Sequence, residues 1–139
     1  MNIVVKSDEN ELYNVLDTIN EFLDSKNVSE KFKLRLSMVL EEIFINIVNY
    51  AYEAGSEDNE IKIEYNFEKD PLKIIIKFID KGASFNPLSN DDPDISLSSD
   101  EREIGGLGIL LIKKSVDKIS YQFKDNQNIL TIEKNIKDE

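Results

Sequence analysis

The runs IKIEYNF (Ile61–Phe67) and LKIIIKFID (Leu72–Asp80), separated only by EKDP, decide how this chain folds. Both are short and rich in β-branched and aromatic residues, and both are bounded by turn-forming residues, so both read as strands. A connection that short cannot cross over, so the two strands must pair antiparallel.

Working outward, NIVVK (Asn2–Lys6) reads as a strand, and KISYQFK and NILTIEKNI flank the turn DNQN as a second hairpin. Between Glu9 and Asp24 the apolar residues Leu12, Val15, Leu16, Ile19, Phe22 and Leu23 keep helical spacing, which predicts an amphipathic helix whose apolar face suits the core better than a dimer contact. Ser29 is the expected N-cap of a longer helix reaching about Tyr52, ended by Gly55 and SEDNE. The stretch IGGLGILLIKKSVD (Ile104–Asp117) predicts a third helix, to about Val116, that begins among three glycines. Residues 83–104, rich in Ser, Asp and Pro, have no periodicity and are expected to form a long functional loop or lid. Residues 1–139 are thus expected to be one domain of the α+β class. Its architecture is a two-layer α/β sandwich: a mixed, mostly antiparallel sheet with the helices on one face.

Composition narrows the chemistry. With no Cys and no His among 139 residues, thiolate and imidazole catalysis are excluded, and a metal would be a hard ion held by oxygen. A net charge of −11 argues against direct nucleic-acid binding. No apolar run approaches the ~18–20 residues of a membrane span, and MNIVVKSDENEL lacks the features of a signal peptide, so a cytoplasmic protein is expected.

Three constellations carry chemistry. On the long helix, in LEEIFINIVNYAYE, Glu42, Asn46, Asn49 and Glu53 fall within about 60° of one another on an otherwise apolar surface. Glu53, near the helix end, reads as solvent-facing. Glu42 and Asn46 lie one turn apart, and as a pair they suit either a solvent-facing stripe or a cavity. In a cavity, an amide oxygen would be the single protein ligand of a hydrated Mg²⁺ and a carboxylate would act as base. At the end of the second strand, IDKGASFNP places Asp80, which accepts hydrogen bonds and so suits the exocyclic amine of adenine, two residues before Gly82, which would let the backbone approach a flat ligand. An Asp-x-Gly is also a common turn. Finally, Gly105, Gly106 and Gly108 open a helix whose first N–H groups lack partners, the makings of a phosphate site. Thr131, in NILTIEK, is a candidate to fix Asp80 or a bridging water, or simply a good strand residue.

The ordered boxes E-x-x-x-N, D-x-G-x-x-F-x-P and G-G-L-G-I together resemble the GHKL ATPase superfamily. The wording EEIFINIVNYAYE and GGLGILLIKKSVDKISY is similar to its anti-sigma-factor serine/threonine kinase branch. The resemblance covers nearly the whole chain and implies the Bergerat ATPase fold. It implies that Asn46 ligates Mg²⁺ and that Glu42 is the catalytic base toward a partner serine. Asp80, Gly82 and Phe85, with Asn49 and Thr131, would belong to the ATP site. Gly105, Gly106, Leu107 and Gly108 would wrap the phosphates, and Arg102 in the lid would neutralise the transferring phosphoryl group. Tyr50 stands where many relatives carry His. The implied partners are a small STAS-type antagonist protein and a sigma factor, with homodimerisation possible. The alternative is a non-catalytic ATP-binding module whose lid closure controls partner binding.

Overall fold

The computed structural model describes residues 1–51, 59–84, 86 and 106–136, with only the backbone described at 106–109. Five strands form one sheet: β1 (Asn2–Lys6), β2 (Glu60–Glu68), β3 (Lys73–Asp80), β4 (Lys118–Lys124) and β5 (Gln127–Asn135). The spatial order is β1-β2-β3-β5-β4, and all four ladders are antiparallel. Helices α1 (Leu12–Asp24), α2 (Glu30–Tyr50) and α3 (Gly106–Ser115) complete the chain.

The expected α+β sandwich is present, and the register explains its layers. Ile61, Ile63 and Tyr65 of β2 lie opposite Asp80, Phe78 and Ile76 of β3; the latter three lie opposite Asn128, Leu130 and Ile132 of β5. All nine are buried, whereas Lys62 and Lys77 on the alternate parity are exposed. With a side-chain period of two, that places every buried strand residue on one face, and the helices cover it. Leu12, Val15, Ile19 and Leu23 of α1 and Leu36, Val39, Leu40, Ile43 and Phe44 of α2 join those strand residues in one core. Each such side chain is worth about 1.5–3 kcal/mol when removed from water. The first helix therefore spends its apolar face on the core, as its spacing predicts.

Local chemistry sets the boundaries. Ser29 caps α2, its hydroxyl accepting from Phe32 N at 3.1 Å. The helix stops at Tyr50, two residues before the expected end, with Ala51 as C-cap. The expected start of the first helix at Glu9 is instead a short 3₁₀ turn, Glu9–Glu11, because Asp8 takes Asn10 N at 2.9 Å and tightens the chain there. Between β4 and β5, Asp125 and Asn126 have φ of 53° and 60°. That left-handed pair makes a two-residue turn matching the twist of the strands. The turn fixes which β5 residues face the helices, and so fixes the site described next.

Candidate functional site

Among the described residues, the buried polar side chains lie at one end of the sheet. Asp80, the last residue of β3, is 4% exposed and Asn128 of β5 is 5% exposed, and the two are direct cross-strand partners on the helix-covered face. Asp80 Oδ1 accepts from Gly82 N at 2.9 Å and from Asn128 Nδ2 at 2.9 Å. Asn128 Nδ2 also donates to Ala83 O at 2.9 Å, and the Tyr121 hydroxyl donates to Asn128 Oδ1. Oδ2 of Asp80 accepts from none of the described residues. Among the described residues, the sealed polar atoms without a partner are Ser7 Oγ and Asn59 Oδ1. Burial pushes the Asp80 carboxyl above its ordinary range, against the opposing pull of the hydrogen bonds from Asn128 and Gly82. A buried carboxylate with one oxygen saturated and the other open is poised to accept a hydrogen bond from a ligand.

The same turn ties β3 to α2. Ala83 N donates to Ala51 O at 2.9 Å, and a Cβ at Gly82 would lie 2.0 Å from that carbonyl oxygen and 2.5 Å from its carbon. Sequence reasoning assigns Gly82 to close approach by a flat ligand; the close approach in the structure is by the chain's own α2 terminus. Glycine is needed there so that the end of β3 can dock on the helix carrying Glu42 and Asn46.

On that helix Glu42 and Asn46 are half-buried and Asn49 is exposed, in keeping with a stripe flanking the core-facing surface. The side chains of Glu42 and Asn46 hydrogen-bond to none of the described residues. Helix α3 packs on α2. A cleft of about 190 Å³ is lined by Phe32 and Arg35 near the start of α2 and by Lys114 and Ser115 at the end of α3. The end of α3 therefore lies beside the start of α2. From there α3 extends back over nine residues, roughly 14 Å of rise, to Gly106, Leu107 and Gly108 in its first turn. The Asp80 end of the sheet and the C-terminal end of α2 thus share one end of the molecule.

Thr131 is not brought to Asp80. It is three residues from Asn128 and pairs with Lys77 and Ser120, so its side chain lies on the opposite face of the sheet. The group that fixes Asp80 is Asn128, which sequence reasoning missed. Its signal was parity: Asn128 is the polar member of the apolar set Asn128, Leu130, Ile132, whereas Thr131 falls on the solvent set. Phe85, Arg102, Gly105 and most of the expected 83–104 lid lie outside the described residues.

The donor set fits the chemistry of a nucleotide and a hard metal: an open carboxylate oxygen, a partnerless amide and a helix N-terminus that begins with glycines. Among the described residues no three Asp or Glu side chains converge as a metal cage.

A histidine kinase-like ATPase domain model matches residues 5–134. The chain belongs to that family. Among its relatives is the serine/threonine-protein kinase BtrW of Bordetella bronchiseptica, 26% identical over 104 residues that make up 75% of this chain and 71% of that protein. Another is the serine-protein kinase RsbW of Bacillus licheniformis, 26% identical over 92 residues, 63% of this chain and 55% of that protein. The chain thus spans about half the length of this second relative. Among solved structures, the RsbU and RsbW domains of Rv1364c from Mycobacterium tuberculosis superpose with a TM-score of 0.68 at 11% identity. That match covers 100% of this chain and 33% of that one. The likeness shows a shared fold. Among the described residues, no helix of this ATPase-family domain is long and apolar enough to cross a membrane.

Proposed function

We propose that this domain is an ATP-dependent protein serine/threonine kinase that acts as an anti-sigma factor in a partner-switching circuit. Its substrate would be a serine on a small STAS-type antagonist protein. The observation that carries the reading is the docking of the Asp80 turn, with its open carboxylate oxygen, on the end of the helix that bears Glu42 and Asn46. Membership of the ATPase family and the kinase names of two distant relatives support it.

In this reading residues 1–139 act as one nucleotide-binding unit. Asp80 Oδ2 accepts from the adenine amine. The phosphates lie against the first N–H groups of α3, where the helix dipole favours negative charge. Asn46 would hold Mg²⁺ through its side-chain oxygen, and the ion would supply neutralisation of the charge that builds up on the phosphates. Glu42 takes the proton of the partner's serine hydroxyl as its oxygen bonds to the γ-phosphorus. The bond from that phosphorus to the ADP oxygen then breaks, and ADP leaves with the electron pair. Arg102 in a closing lid neutralises the transferring group, and Phe85 and Asn49 flank the nucleotide. A second copy of the chain is a further candidate partner.

The test is transfer of labelled γ-phosphate. Incubated with Mg²⁺-ATP and its cognate antagonist, the protein is expected to place phosphate on a serine of that partner. Tight ATP binding without transfer to any antagonist would overturn the kinase assignment and leave a nucleotide-gated binding module.

A further inference from the structure

The residue that packs against Asp80 does more than satisfy it. Asn128 is buried, and every polar atom of its side chain is committed. Nδ2 donates to Asp80 Oδ1 at 2.9 Å, to Ala83 O at 2.9 Å and, more weakly, to Gly82 O at 3.4 Å; Oδ1 accepts from the Tyr121 hydroxyl. The tyrosine lies on edge strand β4, with Leu130 directly opposite, so it reaches Asn128 along the diagonal of the β4–β5 ladder. A hydroxyl proton on the amide oxygen forces the other end of the amide, the donor end, toward Asp80. With Gly82 N on the same oxygen, Asp80 Oδ1 has both lone pairs filled.

We propose that Asn128, oriented by Tyr121, makes Asp80 select adenine over guanine. The proposal rests on the nucleotide reading above. A carboxylate with two free oxygens pairs bidentately with guanine, whose ring N1–H and exocyclic amine are adjacent donors. Adenine offers one exocyclic amine beside an acceptor nitrogen and needs one free oxygen. Filling Oδ1 from inside the protein leaves Oδ2 alone, which serves adenine fully and denies guanine its second bond. A guanine forced into the site would bury one donor without a partner, and sites of this kind discriminate strongly for that reason.

The experiment is calorimetric titration of the whole protein with Mg²⁺-ATP and Mg²⁺-GTP, comparing wild type with Asn128→Ala, Asn128→Val and Tyr121→Phe. Valine suits a strand and provides a folded variant should the alanine change unfold the protein. The ratio of ATP to GTP affinity is expected to fall about tenfold in a folded Asn128 variant, the scale of one lost hydrogen bond. Tyr121→Phe is expected to move the ratio the same way by a smaller factor. A purely structural Asn128 would weaken both nucleotides equally. An unchanged ratio in a folded Asn128 variant that still binds ATP therefore overturns the assignment, and an unchanged ratio in Tyr121→Phe removes the tyrosine from it. Wild-type protein that binds neither nucleotide overturns the underlying reading instead.

Discussion

Asn128 and Asp80 face each other across the β3–β5 ladder, both buried, with the amide of one donating to a single oxygen of the other. The pair is the polar inclusion in an otherwise apolar surface, and its cost falls on Asp80, whose carboxyl burial pushes above the ordinary range.

The first prediction follows from that shift. The folded state binds the Asp80 proton more tightly than the unfolded chain does, so ionising Asp80 opposes folding. The opposition is absent below the unfolded value and fully developed once pH rises past the raised folded value. Asp80→Asn, which keeps the acceptor for Gly82 N and Asn128 Nδ2, is expected to unfold at the same or a higher temperature at neutral pH. Its advantage should shrink as the pH is lowered through the window between the two values. The same variant is expected to lose ATP affinity by ~10–100-fold, because an amide donor would meet the adenine amine. Thermal unfolding at several pH values, with calorimetry, checks both halves. A variant less stable than wild type at neutral pH contradicts the first.

The second concerns Gly82. Its missing Cβ makes room for the Ala51 carbonyl, 2.0 Å from where that atom would sit. Gly82→Ala must push β3's end away from α2 or break the Ala83–Ala51 hydrogen bond. A loss of about 2–3 kcal/mol in denaturant unfolding is expected. ATP binding should weaken as well, since the contact that holds Asp80 relative to Asn46 is the one disturbed. An alanine variant of wild-type stability would show that the docking is slack.

How far the sequence carries such reasoning depends on which interaction is local. The hairpins, the Ser29 cap and the apolar face of α1 are written in neighbouring residues, and the strands fall within a residue of where alternation puts them. What the linear reading lacks is the third dimension between segments. Gly82 looks like a ligand's doorway until α2 is seen to end against it. Thr131 looks like the natural partner of Asp80 until β5 pairs with β3 and strand parity hands the position to Asn128. Register set by a distant turn decides that, and no property of Thr131 reveals it.

That turn yields the third prediction. Asp125 and Asn126 both adopt positive φ, so Asn126→Gly is expected to be neutral or slightly stabilising. Asn126→Val forces a β-branched residue into the left-handed region and should cost about 1–2 kcal/mol. Because a one-residue slip would move Asn128 to the solvent face, the valine variant should also lose ATP affinity out of proportion to its stability. Unfolding and titration curves measured side by side test this. Equal behaviour of the glycine and valine variants would mean the turn does not set the register.

The last prediction separates the two roles on α2. Glu42 and Asn46 are one helical turn apart and half-buried, and neither side chain bonds to a described residue, so removing either should leave the fold intact. Their consequences should differ. Asn46→Ala removes the oxygen assigned to the metal and is expected to weaken Mg²⁺-ATP binding, with little effect on nucleotide affinity in the absence of Mg²⁺. Glu42→Gln keeps size and hydrogen-bonding capacity but cannot take up a proton at neutral pH. It is expected to bind Mg²⁺-ATP like wild type while phosphoryl transfer falls by ~10²–10⁴-fold, the usual worth of a general base. The decisive measurement is single-turnover transfer to the antagonist at saturating ATP, where binding no longer limits the rate. If Glu42→Gln transfers at the wild-type rate, the proton is taken by another group, and the carboxylate on this stripe serves only to position what Asn46 holds.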